Sequence, residues 1–283
     1  MTGFETAFET IGLDLPGGAF HALAAGAGRP VLYLHGFPDH PPTARAFLAE
    51  LARERRVIAP WLRGYAPSPL AGPYDLATLV GDAAAMIERI GGPADVVGHD
   101  WGAVIVYALC ATRPALVRRA VTAAVPHPLT MLKLLGTPAQ LARSWYMGLF
   151  QLPGAGWIAG ARDLALVDRL WRTWSPGFRL PDADRAELHA CLARSLPAPI
   201  GYYRALVRPL RTFAARRRAL AVPIPTPLLQ LHGQQDGCIA PAPEDLDRRW
   251  FAARDHRVVP NAGHFLFQEA PREMAARVAA WLA

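Results

Sequence analysis

The chain has 283 residues, of which 52% are hydrophobic and 19% are charged, so it can bury a large core. Its formal charge of +7 comes almost entirely from scattered arginines. No nucleic-acid-binding motif accompanies them, which argues against a nucleic-acid-binding protein. No apolar run reaches the roughly 18 residues that a membrane span requires, so no membrane association is expected.

The start of the chain and its cysteines indicate the compartment. The opening "MTGFETAFET" contains acids and no apolar leader segment, so we expect no signal peptide. Cys110, Cys191 and Cys238 are odd in number and far apart, which predicts neither a disulfide framework nor a zinc site. A cytoplasmic protein is therefore expected.

The first half of the chain alternates strand-like and helix-like segments. Short apolar runs that end in turn residues predict buried strands at 30–36, 56–61, 94–100 and 118–126. Helical spacing predicts helices at 43–54, at 75–91 with Asp75 at its start, and at 101–113 before Pro114. This alternation argues for a parallel sheet that is covered by helices.

The pattern changes between about Pro128 and Ala221, where the spacing is helical and no clear strand is visible. Alternation then returns with a strand at 226–233, a helix from about Pro243, a strand at 256–262 and a final helix from Glu269. We therefore predict an α/β core at 1–127 and 222–283, with a mostly parallel sheet, and a helical insertion at 128–221.

Asp100 lies in the turn that joins a predicted strand to a predicted helix. The stretch Gly98–Gly102 matches the nucleophile elbow G-x-S-x-G, with aspartate in place of serine. Such a turn exposes its central side chain at the carboxyl edge of the sheet, where open α/β sheets bind ligands. The alternative is an aspartate that only caps the helix.

Three further features favour a nucleophile. "HGFP" follows a strand, and the backbone N–H groups of Phe37 and Trp101 are candidates for an oxyanion hole. His264 follows the last predicted strand, and Asp236 follows the strand before it, 28 residues earlier. The chain order of nucleophile, acid and histidine is that of the α/β-hydrolases.

The sequence resembles the epoxide hydrolase branch of the α/β-hydrolase superfamily over nearly its whole length. The motifs "HGFPD", "RGYAPS" and "GHDWGA" carry this resemblance, and the helical insertion then resembles the cap domain of that branch. The branch's two cap tyrosines match Tyr146 in "WYMGLFQLPG" and Tyr203 in "GYYRALVRPL". Tyr202 remains an adjacent alternative, and packing within the cap is the alternative role for both tyrosines.

The resemblance implies an enzyme that opens an epoxide with water. Asp100 would form an alkyl ester, and His264, oriented by Asp236, would activate the water that hydrolyses it. Tyr146 and Tyr203 would bind the substrate as donors to the epoxide oxygen. Phe37 and Trp101 would line the site and stabilise the oxyanion.

Two other functions stay open at this point. One is a dehalogenase-like aspartate enzyme, although Phe37 stands where such enzymes often place a halide-binding asparagine. The other is a hydrolase-fold binding protein that does not turn over. The sequence favours a small, apolar epoxide, implies no metal or organic cofactor, and leaves a homodimer open.

Overall fold

The computed structural model describes residues 6–283, so the first five residues of the acidic start lie outside the described part. Its centre is an eight-stranded sheet with the strand order β1-β2-β4-β3-β5-β6-β7-β8. The β1–β2 and β2–β4 pairings are antiparallel, and the other five pairings are all parallel. The strands are β1 (Glu9–Leu15), β2 (Gly18–Ala25), β3 (Pro30–Leu34), β4 (Arg56–Pro60), β5 (Ala94–His99), β6 (Val117–Ala123), β7 (Leu228–Gly233) and β8 (Arg254–Val259).

The strands β3 to β8 confirm the predicted parallel sheet. Most of them are short apolar runs, and β5 and β7 are buried along their whole length, whereas the edge strand β8 is mainly polar or charged and only partly buried. The β1–β2 hairpin was not predicted. Its first strand is mostly exposed, and its second is rich in alanine, which has a low preference for strands.

Helices cover both faces of this sheet. Asp75 caps α2 as expected, since its carboxylate accepts hydrogen bonds from the backbone N–H groups of Ala77 and Thr78. The helix predicted from about Pro243 is only one turn long, and the final long helix begins at Pro271. The helices of the core are α1 (Arg45–Leu51), α2 (Leu76–Arg89), α3 (Trp101–Thr112), α11 (Glu244–Asp247), α12 (Leu266–Glu269) and α13 (Pro271–Leu282).

Seven helices lie between β6 and β7, and we call them the cap helices. Within residues 6–283 no named strand interrupts this stretch, and none of the helices is long and apolar enough to cross a membrane. We retain the division into core and cap as a prediction. The cap helices are α4 (Pro128–Leu134), α5 (Pro138–Arg143), α6 (Trp145–Leu149), α7 (Ala155–Trp174), α8 (Asp182–Ser195), α9 (Ile200–Val207) and α10 (Phe213–Leu220).

The parallel strands bring distant parts of the sequence together at one edge. Phe37, Asp100, Asp236 and His264 follow β3, β5, β7 and β8 respectively. Because these strands all run in the same direction, their carboxyl ends meet at the same edge of the sheet. This edge is where open α/β sheets form ligand sites.

Candidate active site

Asp100 occupies a strained turn between β5 and α3. Its backbone has φ +50° and ψ −116°, a conformation that non-glycine residues rarely adopt. The turn is tight enough that a Cβ atom on Gly102 would lie 1.9 Å from the carbonyl oxygen of Leu34. The Asp100 side chain makes no capping hydrogen bond to α3, which argues against the helix-capping role.

The Asp100 carboxylate instead faces the loop after β3. Its Oδ1 atom accepts a hydrogen bond of 2.8 Å from the Phe37 backbone N–H. A Cβ atom on Gly36 would lie 2.3 Å from the same oxygen, so only glycine permits this approach. The Phe37 amide therefore reaches Asp100, while the Phe37 ring is buried and packs against Phe150 and Tyr203.

His264 lies between Asp100 and Asp236. Its Nδ1 atom is 2.9 Å from Asp236 Oδ2, and its Nε2 atom is 3.6 Å from Asp100 Oδ2, which is too long for a hydrogen bond. Within residues 6–283, Nε2 has no hydrogen-bond partner. The bond to Asp236 places a proton on Nδ1, so in the neutral ring Nε2 is the basic nitrogen that faces Asp100.

Neighbouring charges shift the pKa values of His264 and Asp236. Burial opposes the charged imidazole, but Asp236 and then Asp100 outweigh it and raise the pKa of His264 to about 10. Burial would raise the pKa of Asp236, but His264 and His232 hold it well below its usual range. Asp236 Oδ1 also accepts hydrogen bonds of 2.7 and 2.9 Å from the backbone N–H groups of Cys238 and Ile239.

The backbone of His264 is also fixed. Its N–H donates to the carbonyl oxygen of Trp174 at 3.1 Å, and its carbonyl oxygen accepts from His99 Nε2 at 2.8 Å. The fully buried His99 side chain, at the end of β5, thus orients the histidine loop.

Two tyrosines from the cap helices reach the site. Tyr146 in α6 and Tyr203 in α9 are both buried, and their ring centroids lie 5.7 Å apart. Within the described chain the Tyr203 hydroxyl has no hydrogen-bond partner, whereas Tyr202 donates to the Arg63 carbonyl oxygen at 2.5 Å. The hydroxyl of Tyr203, rather than that of Tyr202, is therefore free to bind a substrate.

A cavity of about 450 Å³ connects these residues. Asp100, Trp101, Tyr146 and Tyr203 line its inner end, and Phe37 is not among the lining residues. Its walls are mainly apolar, as expected of a site for a hydrophobic ligand. They include Leu76, Val104, Val125, Leu129, Met131, Leu132, Leu135, Leu206, Val207 and Leu220.

Sequence reasoning assigned no role to Cys238, yet its thiol lies in the site. The sulfur is 3.2 Å from the Tyr146 hydroxyl oxygen. Asp236, Cys238 and His264 offer possible metal-ligand atoms within 4.8 Å of one another, but these groups already bond to each other or to Tyr146. The position of Cys238, two residues after the proposed acid, was the available signal.

Comparison with known proteins finds a matching family, similar sequences and a similar fold. Residues 31–277 match the model of the alpha/beta hydrolase family. The chain is 29% identical over 292 residues to epoxide hydrolase 3 of Mus musculus, covering 95% of this chain and 77% of the relative. It is 30% identical over 275 residues to epoxide hydrolase 3 of Xenopus tropicalis, covering 90% and 72%. A crystal structure of Bacillus megaterium epoxide hydrolase with an inhibitor superimposes with a TM-score of 0.84 at 24% identity, covering 96% and 99%.

Proposed function

The chain belongs to the alpha/beta hydrolase family and to its epoxide hydrolases, and on that premise we propose how its residues convert an epoxide to a vicinal diol. The family relationship confirms the predicted activity. One observation carries the mechanism: the Asp100 carboxylate lies between the Phe37 N–H and His264, in a cavity that the two cap tyrosines also line. Epoxide and water are the substrates.

In the first step Asp100 attacks one carbon of the epoxide. A carboxylate is ionised at pH 7 and can attack a saturated carbon without first losing a proton. A bond forms between a carboxylate oxygen and carbon, the ring C–O bond breaks, and its electron pair stays on the epoxide oxygen. Tyr146 and Tyr203 donate hydrogen bonds to that oxygen, since burial raises the pKa of both phenols well above 10 and keeps them protonated.

In the second step water hydrolyses the ester on Asp100. His264 Nε2 takes a proton from the water, whose oxygen attacks the ester carbonyl. The Phe37 N–H, which already bonds Asp100 Oδ1, and the Trp101 N–H stabilise the resulting oxyanion. Asp236 orients His264 and stabilises its imidazolium.

The pKa of His264 indicates where the protons go in the two steps. At about 10, it implies an imidazolium in the resting enzyme at neutral pH. Esterification removes the negative charge of Asp100, so the pKa of His264 falls and the ring gives up one proton. The alkoxide takes up one proton at the same stage. His264 is then neutral when it deprotonates the water. The acyl C–O bond of the ester breaks, the departing diol oxygen takes the other proton of the water, and Asp100 is released as a carboxylate beside a protonated His264, which restores the resting state.

The cavity supports a neutral, apolar epoxide as the substrate. Its walls offer extensive hydrophobic contact, and the polar groups at its inner end suffice to fix a three-membered ring. A free Tyr203 hydroxyl suits an alkoxide leaving group, which needs a proton or a strong donor, better than a halide, which needs only weak donors. This favours epoxide chemistry over the dehalogenase-like alternative.

Trapping of the ester tests the mechanism. The variant His264→Gln should still be alkylated but should not hydrolyse the ester, so intact-mass analysis should show one substrate equivalent on the Asp100 peptide. His256→Gln is a matched control, because His256 on the edge strand β8 bonds Glu244 of α11 and lies outside the site. Normal turnover by Asp100→Ala would exclude the proposed nucleophile.

A further inference from the structure

The two cap tyrosines differ in what surrounds their hydroxyl groups. The Tyr146 hydroxyl lies 3.2 Å from the sulfur of Cys238, whereas the Tyr203 hydroxyl has no partner among residues 6–283. Cys238 is fully buried and lies in the loop after β7. A thiol from the core thus contacts one of the two proposed donors to the epoxide.

Backbone hydrogen bonds fix the position of this thiol. The Cys238 N–H donates to Asp236 Oδ1 at 2.7 Å, and the Cys238 carbonyl oxygen accepts from Gln140 Nε2 at 2.8 Å. The neighbouring Gly237 N–H donates to the Trp174 carbonyl oxygen at 3.0 Å. The backbone that carries the sulfur therefore cannot move without disturbing the acid of the proposed triad.

The chemistry of the thiol suits a donor role. Burial, and then the negative charges of Asp236 and Asp100, raise the pKa of Cys238 well above its usual value. The group stays an S–H, which is a weak donor and a weak acceptor. The phenol has one proton to donate, and its oxygen keeps lone pairs that can accept a second hydrogen bond.

Resting on the proposed function, we propose that Cys238 is a positioning residue for ring opening that holds the Tyr146 hydroxyl toward the epoxide. When Tyr146 donates to the epoxide oxygen, the S–H donates to the phenolic oxygen. A chain of hydrogen bonds polarises its members, so Tyr146 becomes a stronger donor as charge develops on the epoxide oxygen. The thiol keeps its proton throughout, and the bonds made and broken are those of the Asp100 attack.

This arrangement makes the two tyrosines unequal. Tyr146 is held in place and assisted, whereas the Tyr203 hydroxyl makes no hydrogen bond within the described chain. Loss of the thiol should therefore weaken only the contribution of Tyr146. The effect should be largest where Tyr146 is the sole remaining donor, which is the case in a Tyr203→Phe enzyme.

Single-turnover kinetics in three backgrounds test this assignment. Cys238→Val removes the hydrogen bond while nearly keeping the volume, and Cys238→Ser restores a hydroxyl donor. Each Cys238 variant is measured in three backgrounds: the otherwise wild-type enzyme, Tyr203→Phe and Tyr146→Phe. Alkylation and ester hydrolysis are measured separately with an aryl epoxide, and Cys110→Val is the matched control at a buried cysteine outside the site.

We expect Cys238→Val to slow alkylation by roughly five- to tenfold, the worth of one hydrogen bond, with ester hydrolysis changed less than twofold. The loss should be larger with Tyr203→Phe, absent with Tyr146→Phe, and recovered by Cys238→Ser. If the valine variant does not fold, Cys238→Ala replaces it in the same comparison.

Two results would overturn the assignment. If Cys238→Val slowed alkylation equally in the wild-type and the Tyr146→Phe backgrounds, the thiol would act through packing. An equal loss in ester hydrolysis would show that it acts through Asp236 instead. Failure of the proposed function looks different, because then no ester would form on Asp100 even in His264→Gln.

Discussion

The core and the cap hold their proposed reactive groups in opposite ways. In the core, Asp236 accepts two backbone hydrogen bonds and a third from His264, and Asp100 accepts one from Phe37. In the cap, the Tyr203 hydroxyl has no partner in the described chain, and Tyr146 has only a thiol. The charged groups already have hydrogen-bond partners in the resting enzyme, whereas the neutral donors remain available to a substrate.

The difference follows from what burial costs each kind of group. A buried charge without partners is far more unfavourable than a buried hydroxyl, so the carboxylates need hydrogen bonds in the resting enzyme. An unpaired buried hydroxyl costs only about 1–3 kcal/mol. A substrate oxygen that accepts a hydrogen bond from this hydroxyl recovers the cost, which makes the cap tyrosines suitable for substrate recognition.

Removal of both cap hydroxyls should have the largest effect. Loss of one oxyanion-type donor raises the barrier by on the order of 2.7–4 kcal/mol. The variant Tyr146→Phe/Tyr203→Phe should therefore slow alkylation by about 10⁴-fold or more, because the alkoxide would form without a donor. Stopped-flow measurement of ester formation in single turnovers resolves this step from hydrolysis.

Tyr202→Phe is the matched control for that experiment. Tyr202 also lines the cavity, but its hydroxyl already donates to the Arg63 carbonyl oxygen, so its loss should lower stability and leave alkylation nearly unchanged. Full-speed alkylation of an epoxide by the double variant would remove the proposed difference between core and cap. Preferred release of halide from haloalkanes would instead support a dehalogenase.

Neutralising Asp236 should slow ester hydrolysis rather than alkylation. Asp236→Asn keeps the shape of the side chain but removes the charge that stabilises the His264 imidazolium. A comparable change in a serine-protease triad lowers turnover by about 10⁴-fold. We expect a similar loss in ester hydrolysis, with alkylation less affected and ester accumulating in mass spectra. Equal losses in both steps would contradict the separation of roles.

The sequence predicted the core side of the site better than the cap side. Asp100, Asp236 and His264 each follow a strand of a parallel sheet, and strand order and direction suffice to bring them to one edge. Tyr202 and Tyr203 are neighbours on α9, about 100° apart around the helix axis. Choosing between them requires the rotation of α9 against the core, which depends on packing and not on local sequence.

Other features depended on contacts between distant residues. The Cys238–Tyr146 contact spans 92 positions, and no spacing rule predicts such a pair. The β1–β2 hairpin had a local signal that went unused, because Pro16 and Gly17 separate two strands that pair at Leu15 and Gly18. Its weak strand preference hid that signal.

The charge of Asp100 should be visible in the titration of His264. Because Asp100 contributes to the raised pKa of about 10, Asp100→Asn should lower that pKa by about one unit or more, as ester formation should. The histidine pKa is higher in the folded than in the unfolded state, so its stabilising effect is full below about pH 6.5. It is lost as the pH rises through 10, and the variant should lose it earlier. NMR titration of the ring measures the shift, and an unchanged pKa would argue against the proton account.

The smallest effect should come from the bond that joins the two regions. Gln140 of α5 donates to the Cys238 carbonyl oxygen and accepts from the Ala240 N–H at 3.1 Å, so it attaches a cap helix to the loop that carries Asp236. Gln140→Met nearly keeps the shape of the side chain, adds no buried charge and removes both hydrogen bonds. The change leaves a buried carbonyl oxygen unpaired, at a cost of about 1–3 kcal/mol.

That cost corresponds to a fall in Tm of roughly 2–10 °C for a domain of this size. Alkylation and hydrolysis should both slow only a few-fold, because the loop supports the acid on one side and the Tyr146–Cys238 contact on the other. Gln235→Ala, an exposed position in the same loop, should change neither the Tm nor the rates. If Gln140→Met slowed only one of the two steps, the loop would serve a single region, and core and cap would be independent in function.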